Sequence, residues 1–158
     1  MDKRIRWGKL SLCIAAALAA GGLGALLGGD FSGSYKLMYK PLLSPPGWVF
    51  PVVWTALYVL MGVASCQVWQ SEASAPRKKR ALILYAVQLG MNALWPLLFF
   101  RLSAYLAAFV WLLLLLLAVW LCAVSFRYIR KSAGSLLTPY LLWLCFALYL
   151  NLGVYLLN

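Results

Sequence analysis

The sequence predicts an all-α integral membrane protein, a five-transmembrane-helix bundle with a long capping loop between helices one and two. Three observations carry that expectation. Five apolar segments are each long enough to cross a bilayer. Of the 158 residues, 65% are hydrophobic and only 11% are charged. The basic residues fall in short clusters between the apolar segments. A soluble domain is about 45–50% apolar and about 25% charged, and a chain this short has no interior large enough to hide such an excess. Lipid is the solvent that suits it, and residues 1–158 read as a single transmembrane domain.

A helix rises about 1.5 Å per residue and must cross about 30 Å of hydrocarbon, so a span needs about 20 apolar residues. The segments at residues 10–27, 49–69, 81–100, 104–126 and 136–157 meet that length. None shows the alternation of a transmembrane β-barrel. The first segment has the basic start and small residues of a signal peptide. Its apolar run is longer than a signal core, however, and no clean cleavage site follows, so it reads as a span. It places Ala16, Ala20, Gly24 and Gly28 at four-residue steps, a small-residue face suited to close helix packing within a monomer or across a dimer.

Residues 28–47 form the longest connection, with Pro41, Pro45, Pro46, Tyr35, Tyr39, Lys36 and Lys40. A long loop of this composition is usually functional; its prolines and aromatics, followed by Trp48, favour an ordered cover over one end of the bundle. Helix two carries Trp54, Tyr58, Met61, Gly62, Ser65 and Trp69 on one face. Helix three carries Gln88, Asn92, Trp95 and Phe99, and helix five Tyr140, Trp143, Ala147 and Asn151. An amide facing lipid lacks partners, so these stripes are expected to point inward. Trp7, Trp69 and Tyr155 read as interface anchors. For Trp54, Trp95 and Trp143, each sharing a face with a polar residue, the pattern alone allows both a ligand pocket and ordinary interior packing. Pro51 and Pro96 are equally open, since proline is common in membrane helices. Helix four, with leucines throughout 112–117 and almost nothing polar between Ser103 and Ser125, reads as the most lipid-exposed.

The net charge of +11 resides in loops rather than on a face fit for nucleic acid, and no nucleic-acid partner is expected. Lys3, Arg4, Arg6 and Lys9, then Arg77, Lys78, Lys79 and Arg80, then Arg127, Arg130 and Lys131 fall on one side of an odd number of spans. Lys36, Lys40 and Arg101 fall on the other. The positive-inside rule puts the N-terminus in the cytoplasm and the C-terminus outside, in a bacterial-type inner membrane by default. Histidine is absent, and Cys13, Cys66, Cys122 and Cys145 sit singly in apolar runs as packing residues, so no metal site is expected. The acids Asp2, Asp30 and Glu72 all lie outside the spans, which disfavours a cation-coupled transporter. Nothing resembles a hydrolytic catalytic set.

Residues 35–69, YKLMYKPLLSPPGWVFPVVWTALYVLMGVASCQVW, resemble the TspO/MBR family (translocator proteins, peripheral benzodiazepine receptors and tryptophan-rich sensory proteins): a tyrosine, KP, PP, a WVFP-like run, W..LY..MG and a closing VW. QLGMNALWPLLFF (88–100) and PYLLWLCFALYLN (139–151) resemble its third- and fifth-helix blocks. The resemblance implies five helices, a first loop capping one end, and a homodimer. It also implies a pocket beneath that loop for tetrapyrroles such as protoporphyrin IX and for benzodiazepine-type ligands, with no cofactor required. The matching positions are Trp54, Tyr58, Asn92, Trp95 and Trp143, with Ala147 and Asn151 on the same fifth-helix stripe. Tyr35, Lys36, Lys40, Pro41, Trp48 and Arg101 would lie at the mouth. In some bacterial relatives, tryptophans matching Trp54 and Trp143 are implicated in light-dependent porphyrin breakdown, which makes them the candidate catalytic residues here. Some members live in outer membranes.

The sequence departs from the family in places. Ser34 stands beside Tyr35 where an aromatic pair is frequent, Leu43 replaces a tryptophan before PP, and Trp111 stands where some relatives have an acid. No Lys or Arg follows Tyr155, so the cholesterol-associated motif of animal members is incomplete and a sterol ligand is not expected. A porphyrin is a flat aromatic disc with two carboxylates. Tryptophan faces suit the disc, and Lys36, Lys40 and Arg101 are the cations available to the carboxylates, unless they merely snorkel to the interface.

Overall fold

The structure is a computed structural model and describes residues 6–158; Asp2, Lys3 and Arg4 lie outside the described residues. Helix α1 runs Trp7–Gly28, a short α2 Phe31–Leu37, α3 Val49–Trp69 and α4 Ala75–Pro96, which a π-helical turn at Leu97–Arg101 prolongs. Then come α5 at Tyr105–Ile129, a one-turn α6 at Lys131–Ser135, and α7 at Thr138–Leu157. Among the described residues five spans are long and apolar enough to cross a membrane: α1, α3, α4 with its π turn, α5, and α6 with α7. The all-α five-span expectation holds. The third helix starts earlier than the hydropathy pattern suggested, at Ala75, so Arg77, Lys78, Lys79 and Arg80 form its opening turns. Charge ends a hydrophobic segment but not a helix, and Pro76 is well placed in a first turn.

Helix α1 packs on α3 and α4, α4 on α5, and α5 on α7. Side chains rather than close backbone approach complete the ring between α3 and α7: Trp54 meets Tyr140 edge-on with ring centres 6.0 Å apart, and Phe50 meets Trp143 at 6.0 Å. The core runs along residues three and four apart: Leu57, Met61, Ala64 and Val68 on α3, and Leu112, Leu115, Val119 and Cys122 on α5.

Close approach of α1 depends on glycine. A Cβ on Gly62 of α3 would lie 2.6 Å from the Cα of Ile14. One on Gly24 would stand 3.2 Å from the backbone of Ala93, and one on Gly28 2.9 Å from the Pro96 ring. The seam on α1 runs through Ala17, Gly21, Gly24 and Gly28; Ala16 is exposed and Ala20 half-buried. A helix turns 100° per residue, so strict four-residue steps drift 40° each and leave the contact line after two or three steps.

The expectation that the leucine-rich fourth span is the most lipid-exposed is overturned. Only 17% of the α1 span window is buried, against 33% for α5. An all-apolar surface serves core and lipid equally, so the absence of polar residues does not reveal which neighbours a helix has. Helix α1 instead presents backbone and small side chains to its neighbours and larger ones, such as Leu12, Leu23 and Leu26, outward.

The expected cover is ordered. Asp30 caps α2 by accepting from the Gly33 N–H at 3.0 Å. The chain after α2 is tied to the end of α7: the Tyr39 N–H donates to Asn158 Oδ1 at 3.1 Å, Asn158 Nδ2 donates to the Tyr39 carbonyl at 2.9 Å, and the Tyr149 hydroxyl donates to the Leu42 carbonyl at 2.6 Å. Pro41 rests where a Cβ on Gly153 would be, 2.5 Å from it. Replacing Asn158 by alanine removes both bonds to Tyr39 at about 1 kcal/mol each. Hydrogen exchange is expected to speed up across the cap while the spans keep their protection; unchanged exchange would mean that Pro41 and Tyr149 hold it alone.

Candidate ligand-binding site

A cavity of about 480 Å³ lies under α2 between α1, α3 and α4. Helix α1 contributes Leu18, Gly21, Gly22, Ala25 and Gly28 to it, and Gly29 follows at the helix end. Helix α3 contributes Phe50, Pro51, Trp54, Thr55 and Tyr58. Helix α4 and the π turn supply Asn92, Trp95, Pro96 and Phe100, and Phe31 of α2 forms the roof. Glycine at 22 leaves open space, with nothing within 4 Å of where a Cβ would stand, and glycine at 21 lets the Tyr58 ring close on the α1 backbone. Gly22, Ala25, Pro51 and Thr55 are exposed at the outside of the bundle, so the cavity reaches the surface between α1 and α3.

Pro96 explains the local shape of α4. Lacking an N–H, it cannot bond the carbonyl one turn back, and the helix widens into the π turn, where the Leu102 N–H reaches the Leu97 carbonyl at 3.0 Å. Trp111 of α5 donates its indole N–H to the Met91 carbonyl at 2.8 Å, which fixes α5 to this stretch. In the π turn Phe99 stacks on Trp95 at 4.8 Å and Phe100 meets Phe31 edge-on at 5.0 Å, so the turn joins the cavity wall to its roof.

Two hydrogen-bonded sets hold the wall. The Tyr58 hydroxyl donates to Asn92 Oδ1 at 2.5 Å, and Asn92 Nδ2 donates to the Tyr140 oxygen at 2.6 Å. Trp95 Nε1 donates to Asn151 Oδ1 at 3.2 Å, and Asn151 Nδ2 donates to the Tyr105 carbonyl at 2.8 Å. Each amide spends both ends on α-helical neighbours, as a buried amide in lipid must.

The structure therefore brings Trp54, Tyr58, Asn92 and Trp95 together on one cavity. It places Trp143, Ala147 and Asn151 behind that cavity. Ala147 is in the core, Asn151 buttresses Trp95, and Trp143 lies behind Phe50, with its indole N–H buried and without a partner. Around the roof, the Tyr35 ring stacks on Phe31 at 5.5 Å, and its hydroxyl donates to the Pro45 carbonyl at 2.5 Å. Burial pushes the Tyr35 phenol above its ordinary range, with a hydrogen bond to Ser44 acting the other way. Lys40 donates to the Tyr35 carbonyl at 2.7 Å and sits 4.5 Å over the Tyr35 ring. Lys36 and Arg101 are exposed, and Trp48 is 69% exposed.

Several lining residues escaped the sequence reading: Gly21, Gly22, Gly29, Phe31, Phe50, Thr55 and Phe100. The adjacent glycines at 21 and 22 are the signal that was available, since a span has few reasons to carry two unless something approaches its backbone.

The TspO/MBR family profile matches residues 13–156. The tryptophan-rich protein TspO of Chlorobaculum tepidum is 37% identical over 159 residues, covering 100% of this chain and 99% of its own. The tryptophan-rich sensory protein of Cereibacter sphaeroides is 37% identical over 152 residues, covering 96% of this chain and 92% of its own. The human translocator protein is 38% identical over 122 residues, 77% of this chain and 72% of its own.

Proposed function

The chain belongs to the TspO/MBR family, and on that premise we propose that its aromatic cavity binds tetrapyrroles of the protoporphyrin IX type and other hydrophobic ligands, for sequestration, transport or sensing. The observation that carries this reading is the wall itself. Trp54, Tyr58, Trp95, Phe31, Phe50 and Phe100 surround about 480 Å³ in which Asn92 is the buried amide. Ligand sites are commonly about 300–1,000 Å³, mostly apolar, with a few placed polar groups. The propionates of a porphyrin would leave toward the cap, where Lys36, Lys40 and Arg101 supply positive charge.

Titration of the purified protein in detergent with protoporphyrin IX is expected to quench tryptophan fluorescence saturably. Trp54→Ala removes a cavity wall and should weaken binding about tenfold or more, since an aromatic contact contributes about 0.5–1.5 kcal/mol beyond its buried area. Quenching that never saturates, or is equal in the variant, would mean partitioning into the micelle and end this reading.

A second reading, light- and oxygen-dependent porphyrin breakdown through Trp54 and Trp143, draws on the unpartnered Trp143 indole N–H. Only Trp54 lines the cavity; Phe50 stands between the cavity and Trp143, so joint contact with one ligand requires Phe50 to turn aside. Under light and oxygen, product formation lost in Trp143→Phe with binding retained supports this reading, and product formation indifferent to the substitution removes it. For assembly and topology we propose a homodimer with its basic end in the cytoplasm. Gly21, Gly24 and Gly28 of α1 are spent inside the monomer, so the dimer would use another face; light scattering of Gly24→Ala and wild type in detergent should report the same oligomer.

A further inference from the structure

The opposite, basic end of the bundle holds a second cavity of about 420 Å³. Arg6, Lys9, Lys78 and Arg130 line it, contributed by four separate stretches of chain: the lead into α1, α1 itself, the opening of α4 and the joint before α6. Orientation in a membrane requires positive charge at this end but does not require it to converge. Arg77, Lys79, Arg80, Arg127 and Lys131 meet that need from outside the cavity. Like charges brought round one hollow repel, and the repulsion grows as water thins.

Among the described residues, several groups at the cavity meet neutral partners. Lys9 lies 4.7 Å over the Trp69 ring, Lys78 donates to the Ser71 carbonyl at 3.2 Å, and the backbone N–H of Arg6 donates to Gln70 Oε1 at 3.1 Å. Glu72, in the same connection, has an interaction of its own and does not line the cavity; among the described residues that line it, four are cations and none is an acid. The Arg6 lead-in also brings the N-terminus of α1, the positive end of a 22-residue helix, beside the hollow. Leu10, Val63 and Trp69 add apolar surface to a lining that also holds Gln67, Gln70 and Ser71. Four cations beside hydrogen-bonding and apolar groups suit a phosphate carried on a larger, partly apolar body.

We propose that this cavity is a phosphate-binding site, separate from the aromatic one, that takes the headgroup phosphate of an anionic phospholipid or a free phosphate ester. The test uses the full chain in a neutral detergent at about 0.15 M salt, where exposed charges are screened within about 8 Å. Binding of dioctanoyl phosphatidylglycerol is counted by native mass spectrometry and followed by thermal unfolding, with dioctanoyl phosphatidylcholine for comparison. One saturable phosphatidylglycerol per chain is expected. Each of two double variants, Lys9→Gln with Arg130→Gln and Lys78→Gln with Arg130→Gln, should weaken it about tenfold or more. Lys79→Gln with Arg80→Gln makes the same change of net charge at the same end, outside the cavity, and should leave affinity within about twofold. Displacement of the lipid by millimolar inorganic phosphate assigns the site to free phosphate esters, and failure to displace assigns it to the lipid headgroup. Equal binding of the two lipids, or equal weakening in all three double variants, would overturn the proposal by reducing it to diffuse attraction.

Discussion

Replacing Gly62 by alanine is expected to destabilise the folded bundle by about 1–3 kcal/mol, the usual cost of overpacking a close-packed contact. The added methyl would sit 2.6 Å from the Ile14 Cα and 2.9 Å from its nitrogen. Both are backbone atoms of α1, so no side chain can swing away and the two helices must move apart. Separation along this seam also disturbs the next contact, where Gly21 faces Tyr58. Gly90 provides the control, because a Cβ there meets nothing within 4 Å. Gly90→Ala should be neutral or stabilising by up to about 1 kcal/mol through helix propensity alone. Thermal unfolding in detergent micelles measures both. Equal midpoints for the two variants would show that α1 and α3 are not as close as described.

Asn92→Leu is expected to cost a similar amount, about 1–3 kcal/mol, and to weaken ligand binding as well. The leucine matches the asparagine roughly in size, so packing is nearly kept while two hydrogen bonds vanish. The Tyr58 and Tyr140 hydroxyls are then orphaned; Tyr140 is only 1% exposed and has no route to water. An orphaned buried group costs about 1–3 kcal/mol, yet single hydrogen bonds measured between membrane helices are often worth about 0.6 kcal/mol. The burial of both phenols decides for the larger effect. Adding Tyr58→Phe and Tyr140→Phe removes the stranded hydroxyls and should restore most of the stability, because replacing all partners by apolar groups of the same shape is nearly neutral. A triple variant no more stable than Asn92→Leu would show that the cost came from packing instead.

The five spans were legible because length and hydropathy are properties of a segment taken alone. The polar stripes were legible for a related reason: Asn92 and Asn151 have nowhere to bond but inward, and both do so. What each inward residue faces was not legible, because that depends on neighbours far away in sequence. Trp54 and Trp143 look alike in the sequence, each one turn from a tyrosine or alanine on an apolar helix. One lines the cavity and the other lies behind Phe50, and the difference arises from how the helices pack against one another. Ala16 and Ala17 differ by one position, and only the turn of the helix against Ala93 and Pro96 chooses between them. The lipid exposure of α5 was misjudged because leucine does not distinguish lipid from core. Arg6, Lys9, Lys78 and Arg130 were readable as topology signals but not as one hollow, since they come from four segments that only the folded bundle gathers.

The path of the hydrogen bonds has a consequence for biogenesis. Spans enter the bilayer in chain order, and helices associate after insertion. When α4 enters, Asn92 meets Tyr58, which is already in place on α3. Its second phenol, Tyr140, and the amide that holds Trp95, Asn151, both arrive on α7, the last of these five spans to be made. Until then the amide of Asn92 is half-satisfied and the indole N–H of Trp95 lacks Asn151, and the cap has no Asn158 to fasten to. The final span therefore acts as a latch: it completes the polar interior and seats the cover over the cavity at the same time, so a nascent chain released before it would expose both together.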